Sequence, residues 1–152
     1  MKHIWTVLCQ KSSIDIDTNL LSLFDCIEEL SLVIDRTKAP ESNLVISAEF
    51  QLVSFWTIEN SQQENELEIR GELLDPNGKI LNKFENKFAI KKGILRFRNR
   101  TNFQGLPITV AGRYMIKIMQ KKENKEEFEI VTELPLDINI SYKLLDNPNL
   151  KS

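Results

Sequence analysis

The chain has 152 residues, 41% hydrophobic and 28% charged, with a formal net charge of −2. That length fits one domain able to bury its own core without disulfide or metal staples. The balanced charge leaves no overall field to draw in nucleic acid or an anionic membrane; only a local patch would do so.

The opening Met1-Lys2-His3-Ile4-Trp5 run meets polar residues from Gln10 onward and is too short for a signal-peptide core. No stretch approaches the ~20 apolar residues of a membrane span. The expectation is a cytoplasmic protein with no membrane contact. The abundance of Lys, Asn and Ile is that of an AT-rich, bacterial genome. In a reducing cytosol Cys9 and Cys26 read as buried small hydrophobes, and a disulfide between neighbouring strands would imply export. One histidine and two distant cysteines form no recognisable metal set, so no metal or cofactor is expected.

His3 to Cys9 reads as a first strand, followed by a turn at Lys11-Ser12-Ser13. Ile14 to Ile34 supports two readings. Leu20, Phe24, Ile27, Leu30 and Ile34 lie at helical spacing, with Asp17 or Thr18 as cap. Leu21, Leu23, Phe24 and Cys26 also fit a strand with a bulge, which the β-rich surroundings favour. Asp35 to Asn43 is a loop broken by Pro40. Leu44, Ile46, Ala48, Phe50 and Leu52 alternate with polar or outward residues, and a bulge is expected where the parity changes at Val53 and Phe55.

Residues 66–90 read as a hairpin around Asp75-Pro76-Asn77-Gly78, with Leu67, Ile69 and Leu73 inward and Ile80, Phe84, Phe88 and Ile90 on the return strand. Leu95, Phe97 and Phe103 alternate with Arg96, Arg98 and Arg100, ahead of a loop at Gln104–Pro107. Arg113 to Met119 forms the next strand. The longest alternation runs from Phe128 to Ile140 and places Phe128, Ile130, Thr132, Leu134, Leu136, Ile138 and Ile140 on one face. Residues 1–144 are read as one domain and residues 145–152 as a frayed tail.

This pattern defines an all-β protein, an antiparallel β-sandwich of seven to nine strands. The segments Leu20-Leu21-Ser22-Leu23-Phe24-Asp25, Asp75-Pro76-Asn77-Gly78-Lys79 and Ala111-Gly112-Arg113-Tyr114 resemble a bacterial family of small β-sandwich proteins of unknown function. The Gly-x-Tyr entry at Gly112 also resembles the late strand of immunoglobulin-like and C2-like sandwiches. The resemblance implies a strand at Leu20 and assigns no catalytic or binding residue.

Two candidate surfaces emerge. Arg96, Arg98 and Arg100 share one strand face at a spacing of about 6.6 Å, with Lys91 and Lys92 upstream. They form an anion-binding stripe or, on the favoured reading, a solvated outer face that can pair across the sheet with Glu66, Glu68 and Glu72. Met115 and Met119 share a face with Lys117 and either are covered or form a partner-binding patch. Trp5 is expected in the core, and Trp56 sits where the face is unsettled. His3 lacks the nucleophile and orienting group that a catalytic base needs. Asp15, Asp17 and Asp25 are too few to supply the oxygens Ca²⁺ demands. The expectation is a non-enzymatic protein-interaction module, using a sheet edge or the methionine face. The alternative is anion or nucleic-acid binding through the arginine stripe, with nucleic acid less favoured. A homo-oligomer through a sheet edge also fits.

Overall fold

The computed structural model describes residues 1–35, 44–122 and 125–143. They form nine strands: β1 (Lys2–Ile14), β2 (Leu21–Cys26), β3 (Glu29–Asp35), β4 (Leu44–Thr57), β5 (Asn65–Leu74), β6 (Ile80–Ile90), β7 (Arg96–Ile108), β8 (Gly112–Lys121) and β9 (Phe128–Lys143). A four-stranded sheet in the order β2-β1-β4-β7 packs on a five-stranded sheet in the order β3-β9-β8-β5-β6. The all-β sandwich expected from the alternation is what forms. All pairings are antiparallel except β3 with β9, which is parallel.

That exception comes from one corner. The ambiguous segment after Leu20 is extended, and it forms two strands that belong to different sheets. Beyond β2 the chain crosses at Ile27 and Glu28. Ile27 N–H still donates to the Leu8 carbonyl of the first sheet at 2.8 Å, while the Glu28 carbonyl accepts from Asp137 N–H of the second at 3.0 Å. Asp25 sits at φ 52° just before the crossing. A short polar side chain tolerates this left-handed conformation. The strand therefore changes sheets without orphaning its backbone groups.

The core lies between the sheets and is built from Leu8, Phe50, Leu52, Trp56, Leu67, Ile69, Ile108, Ile118, Leu136 and Ile138, among others. Side-chain space here is tight: Gly71 faces Phe84, and a Cβ on Gly71 would stand 2.0 Å from the Phe84 ring. On one flank the edge strands β6 and β7 meet through two ring pairs, Phe84–Phe103 and Phe88–Phe97, with centroids 5.5 and 5.1 Å apart. On the other flank β1 and β9 border a cleft of about 480 Å³, with Thr6, Cys26, Ile27, Thr132 and Leu134 among its walls.

A polar clasp ties the turn of the β5–β6 hairpin to the β7–β8 corner. Asp75 Oδ1 accepts from the N–H groups of Asn77 and Lys79, both at 2.9 Å, and Thr109 Oγ1 donates to Asp75 Oδ2 at 3.0 Å. The fully buried Tyr114 donates its hydroxyl to the Val110 carbonyl at 2.7 Å and accepts from the N–H of Thr109 at 2.9 Å. A tyrosine bonded back to the preceding corner is a device of immunoglobulin-like sandwiches, in line with the resemblance of the Gly112-Arg113-Tyr114 segment.

Several local expectations need correction. Lys11-Ser12-Ser13 is part of β1, not a turn, and Gln104–Pro107 continues β7, with Gly105 at φ 85° absorbing the irregularity. β4 keeps a regular register against β7 from Glu49 to Thr57; its irregularity lies between Ile46 and Glu49, not at Val53. Ile80 is exposed and Leu81 packs on the core instead, because the β5–β6 register shifts beside Leu74.

The final strand also changes face. Its ladder to β8 runs Ile118 with Thr132 and then Met119 with Ile130, so Val131 is an extra residue. From that bulge toward Phe128 the alternation inverts: Val131 packs on the core and Ile130 is 53% exposed. Phe128 lies under the Arg70 guanidinium, 4.0 Å from the ring centroid, rather than inside. Leu136 and Ile138 remain buried as expected. The loop at Asp35–Asn43 and the tail at 145–152 fall, past Asp35, outside the described residues.

Two stability measurements follow. In urea unfolding, Ile138→Ala should cost about 2–5 kcal/mol. Val131→Ala should cost about 1–2 kcal/mol, and Ile130→Ala should stay within about 0.5. The reverse order for the last two would place the bulge wrongly. A pH series tests the clasp, because its hydrogen bonds, led by the Lys79 N–H, hold the Asp75 carboxyl below its ordinary range. A carboxylate with a lowered folded pKa stabilises above its unfolded value and loses that contribution as pH falls through the folded value. Between neutral pH and about pH 4 the urea midpoint should not respond to Asp75. Below that it should fall, and Asp75→Asn should remove this part of the slope.

Candidate functional site

The outer face of the four-stranded sheet gathers the charged and aromatic residues singled out in the sequence. Strand pairing sets them in rows: Lys2, Thr57 and Arg96; then Trp5, Phe55 and Arg98; then Val7, Val53 and Arg100. Directly paired residues share a face. Trp5 therefore lies outside the core, half-buried against Phe55 with ring centroids 5.6 Å apart. This corrects its expected placement. Trp56, one residue on, points inward and is fully buried.

Among the described residues the arginines have no acidic partners. Glu66 and Glu68 lie on the outer face of the other sheet, where they pair with Lys87 at 2.7 Å and Lys121 at 3.7 Å. Arg70 with Glu85, Arg113 with Asp137 and Lys117 with Glu133 complete that face. The stripe lies on a solvated outer face as the favoured reading has it, but the cross-strand pairing with Glu66, Glu68 and Glu72 considered with that reading does not form, because β5 and β7 belong to different sheets. Among the described residues no ion pair involves Arg96, Arg98 or Arg100. Arg96 and Arg100 are exposed. Arg98 donates from Nη1 to the Asn19 carbonyl at 3.0 Å.

That contact, spanning a separation of 79 residues, locates the tip of the β1–β2 hairpin. β1 pairs with β4 only as far as Cys9; past it the strand pairs with β2 alone. Ser12 Oγ donates to Gln51 Oε1 at 2.6 Å, and Gln51 passes a bond on to Asn102 Oδ1 at 3.0 Å. The hairpin thus folds back over the outer face, which is why Val53 there is fully buried. Asp15 shapes the tip by accepting from Thr18 N–H and Thr18 Oγ1, each at 2.7 Å. Asp15 thereby holds the turn; among the described residues no group of three metal-ligating side chains gathers. The tip leaves Ile16 97% and Leu20 66% exposed, an apolar surface that the alternation of β2 alone does not reveal.

The methionine face is not a patch. Met119 is 8% exposed, flanked by Arg70 and Ile130 in the ladder, and Met115 is half-buried. Both sit within the ion-paired outer face of the five-stranded sheet. His3 lies inside the sandwich edge-on to Trp56, with Nε2 2.7 Å from Thr6 Oγ1. Burial pushes its pKa below the ordinary value, so it is neutral at pH 7. Trp56 Nε1 and Asn99 Oδ1 are buried without a hydrogen-bond partner among the described residues. The two cysteines differ: Cys9 is fully buried and Cys26 is exposed, against the expectation that both are buried. Cys26 stands at the crossing between sheets, where no core covers it.

Fold and face together define a small β-sandwich with a cationic stripe beside paired rings. No protein-family model matches the sequence, and no curated protein matches it. Among solved structures the chain is similar to a glycosyl hydrolase family 2 member from Bacteroides cellulosilyticus, with 11% identity and a TM-score of 0.44. It is similar also to a beta-glucuronidase from glycoside hydrolase family 2, with 19% identity and a TM-score of 0.42. Each match covers 64% of this chain, but only 13% and 11% of the respective neighbours.

The arrangement predicts distinct costs for the two candidate surfaces. Met119→Ala should destabilise by about 2–5 kcal/mol, measured by urea unfolding. Changing Arg96, Arg98 and Arg100 together to Gln should cost no more than about 1 kcal/mol, because no ion pair among the described residues is lost.

Proposed function

We propose that the chain is a non-enzymatic protein-interaction module of a small bacterial β-sandwich family, working in the cytoplasm, and that β7 receives its partner. The observation that carries this is the position of the arginines. Among the described residues β7 is an edge strand with a hydrogen-bonded neighbour on one side only. An extended segment can add to such an edge through main-chain hydrogen bonds, with side chains supplying selectivity. Every second residue of that segment would stand opposite Arg96, Arg98 and Arg100 on the outer face. Acidic residues there would neutralise guanidinium groups that nothing in the described chain neutralises. The occupant is an extended, acidic segment of another protein.

The same charges oppose self-association at this edge. Antiparallel pairing of two β7 strands about Arg98 would set Arg96 against Arg100 of the second copy, and like charges directly opposite destabilise a sheet. Charged side chains are a common guard on edge strands. Here the guard admits one sign of partner.

Fluorescence anisotropy with a labelled peptide that alternates Glu with Thr and Val tests the reading. Binding should appear at low salt, weaken toward about 0.15 M, and vanish when the three arginines become Gln. A Lys-for-Glu peptide should not bind. Equal binding of both peptides would overturn the charge argument. Stronger retention of a single-stranded oligonucleotide than of the acidic peptide would favour the nucleic-acid alternative, for which Trp5 and Phe55 beside Arg98 are the supporting observation.

A further inference from the structure

The ladder sets Cys9 directly opposite Cys26 in adjacent antiparallel strands. Ile27 N–H donates to the Leu8 carbonyl at 2.8 Å, so the neighbouring pair Leu8/Ile27 takes the backbone bonds. Paired positions alternate, and Cys9/Cys26 therefore occupies a site without them. There the Cα atoms stand about 4.5 Å apart with side chains on one face, within the roughly 4.4–6.8 Å over which a disulfide closes. Both thiols are free; one is exposed beside the cleft and the other is fully buried.

We propose that Cys9 and Cys26 form a reversible thiol–disulfide exchange site, a dithiol in a reducing cytosol rather than the permanent staple of an exported protein, that takes a low-molecular-weight disulfide as oxidant, with Cys26 as the attacking and Cys9 as the resolving thiol. The division of labour follows from access. Only Cys26 meets solvent, so its thiolate attacks a sulfur of the small disulfide, forms a mixed disulfide and releases one thiolate. Cys9 then loses its proton and attacks Cys26 Sγ, which forms the Cys9–Cys26 bond and expels the second thiolate. Two protein thiols lose two protons and two electrons; the reagent's disulfide bond is reduced and takes up both as two thiols. Burial and the neighbouring Cys26 raise the Cys9 pKa, so Cys9 stays a thiol until the mixed disulfide is in place. The product staples β1 to β2 at the corner where the chain leaves the first sheet, beneath the hairpin that reaches Arg98.

The full-length chain, reduced and then equilibrated with excess oxidised glutathione, is acid-quenched, treated with a thiol-alkylating reagent and weighed intact. The expected product is one monomeric species lighter than the reduced chain by two hydrogen atoms, with no thiol left to alkylate and a Cys9–Cys26 peptide on digestion. Cys9→Ala should retain one glutathione on Cys26, because nothing resolves it. Cys26→Ser should carry none, because Cys9 is buried. A stable glutathione adduct on the wild type, two alkylatable thiols after equilibration, or a disulfide-linked dimer would each overturn the proposal. The wild-type mass and peptide map decide it even if a variant fails to fold.

Discussion

A strand that leaves one sheet for another must satisfy its backbone groups on both sides of the gap, and this fold depends on how that is done at Ile27 and Glu28. One bond to Leu8 and one from Asp137 carry the chain across. Once β2 and β3 are committed to different sheets, the remaining topology is constrained. β3 runs alongside β9 in the parallel sense, and among the described residues β2 is left as a short edge strand paired with β1 alone. The β1–β2 hairpin is then free to fold over the outer face, and its tip meets β7.

The two flanks of the sandwich are closed by different physics. Between β6 and β7 two aromatic pairs fill the space, Phe84–Phe103 edge-to-face and Phe88–Phe97 tilted, and apolar burial supplies the contact. Between β1 and β9 the sheets diverge around a cleft, and the crossing strand spans it. The two outer faces differ as well. The five-stranded sheet neutralises its charges internally, strand by strand, through Lys87–Glu66, Arg70–Glu85, Lys121–Glu68 and Lys117–Glu133. Such exposed pairs are individually weak, but they leave little uncompensated charge on that surface. The four-stranded sheet presents three arginines that form no ion pair among the described residues. The contrast between the faces, more than the total charge, marks the outer face of β7 as the surface with electrostatic work left to do.

The cysteine pair and the arginine stripe are linked through the hairpin. Asn19 at its tip accepts from Arg98, and the cysteines sit at its base. The same arm therefore touches both the proposed partner edge and the proposed exchange site.

Period-two alternation was enough to identify the class of fold, because a half-buried strand must place its apolar residues on one side. It also identified Leu136, Ile138, Leu67 and Ile69 as core and the three arginines as a single row. What it did not reveal were the events that break the period. The bulge at Val131 inverts Phe128 and Ile130, yet both faces of that stretch carry apolar residues, so no local pattern betrays it. Trp5 and Trp56 look alike in sequence; only the pairing of β1 with β4 shows that one faces the hairpin side and the other the core. The absence of ion pairs at Arg96 and Arg100 among the described residues, and the meeting of Cys9 with Cys26, depend on which strands become neighbours. Local side-chain periodicity decides that a segment is a strand and which residues share its face. Strand order, register and sheet membership are settled by long-range backbone pairing, and only the tertiary structure decided those.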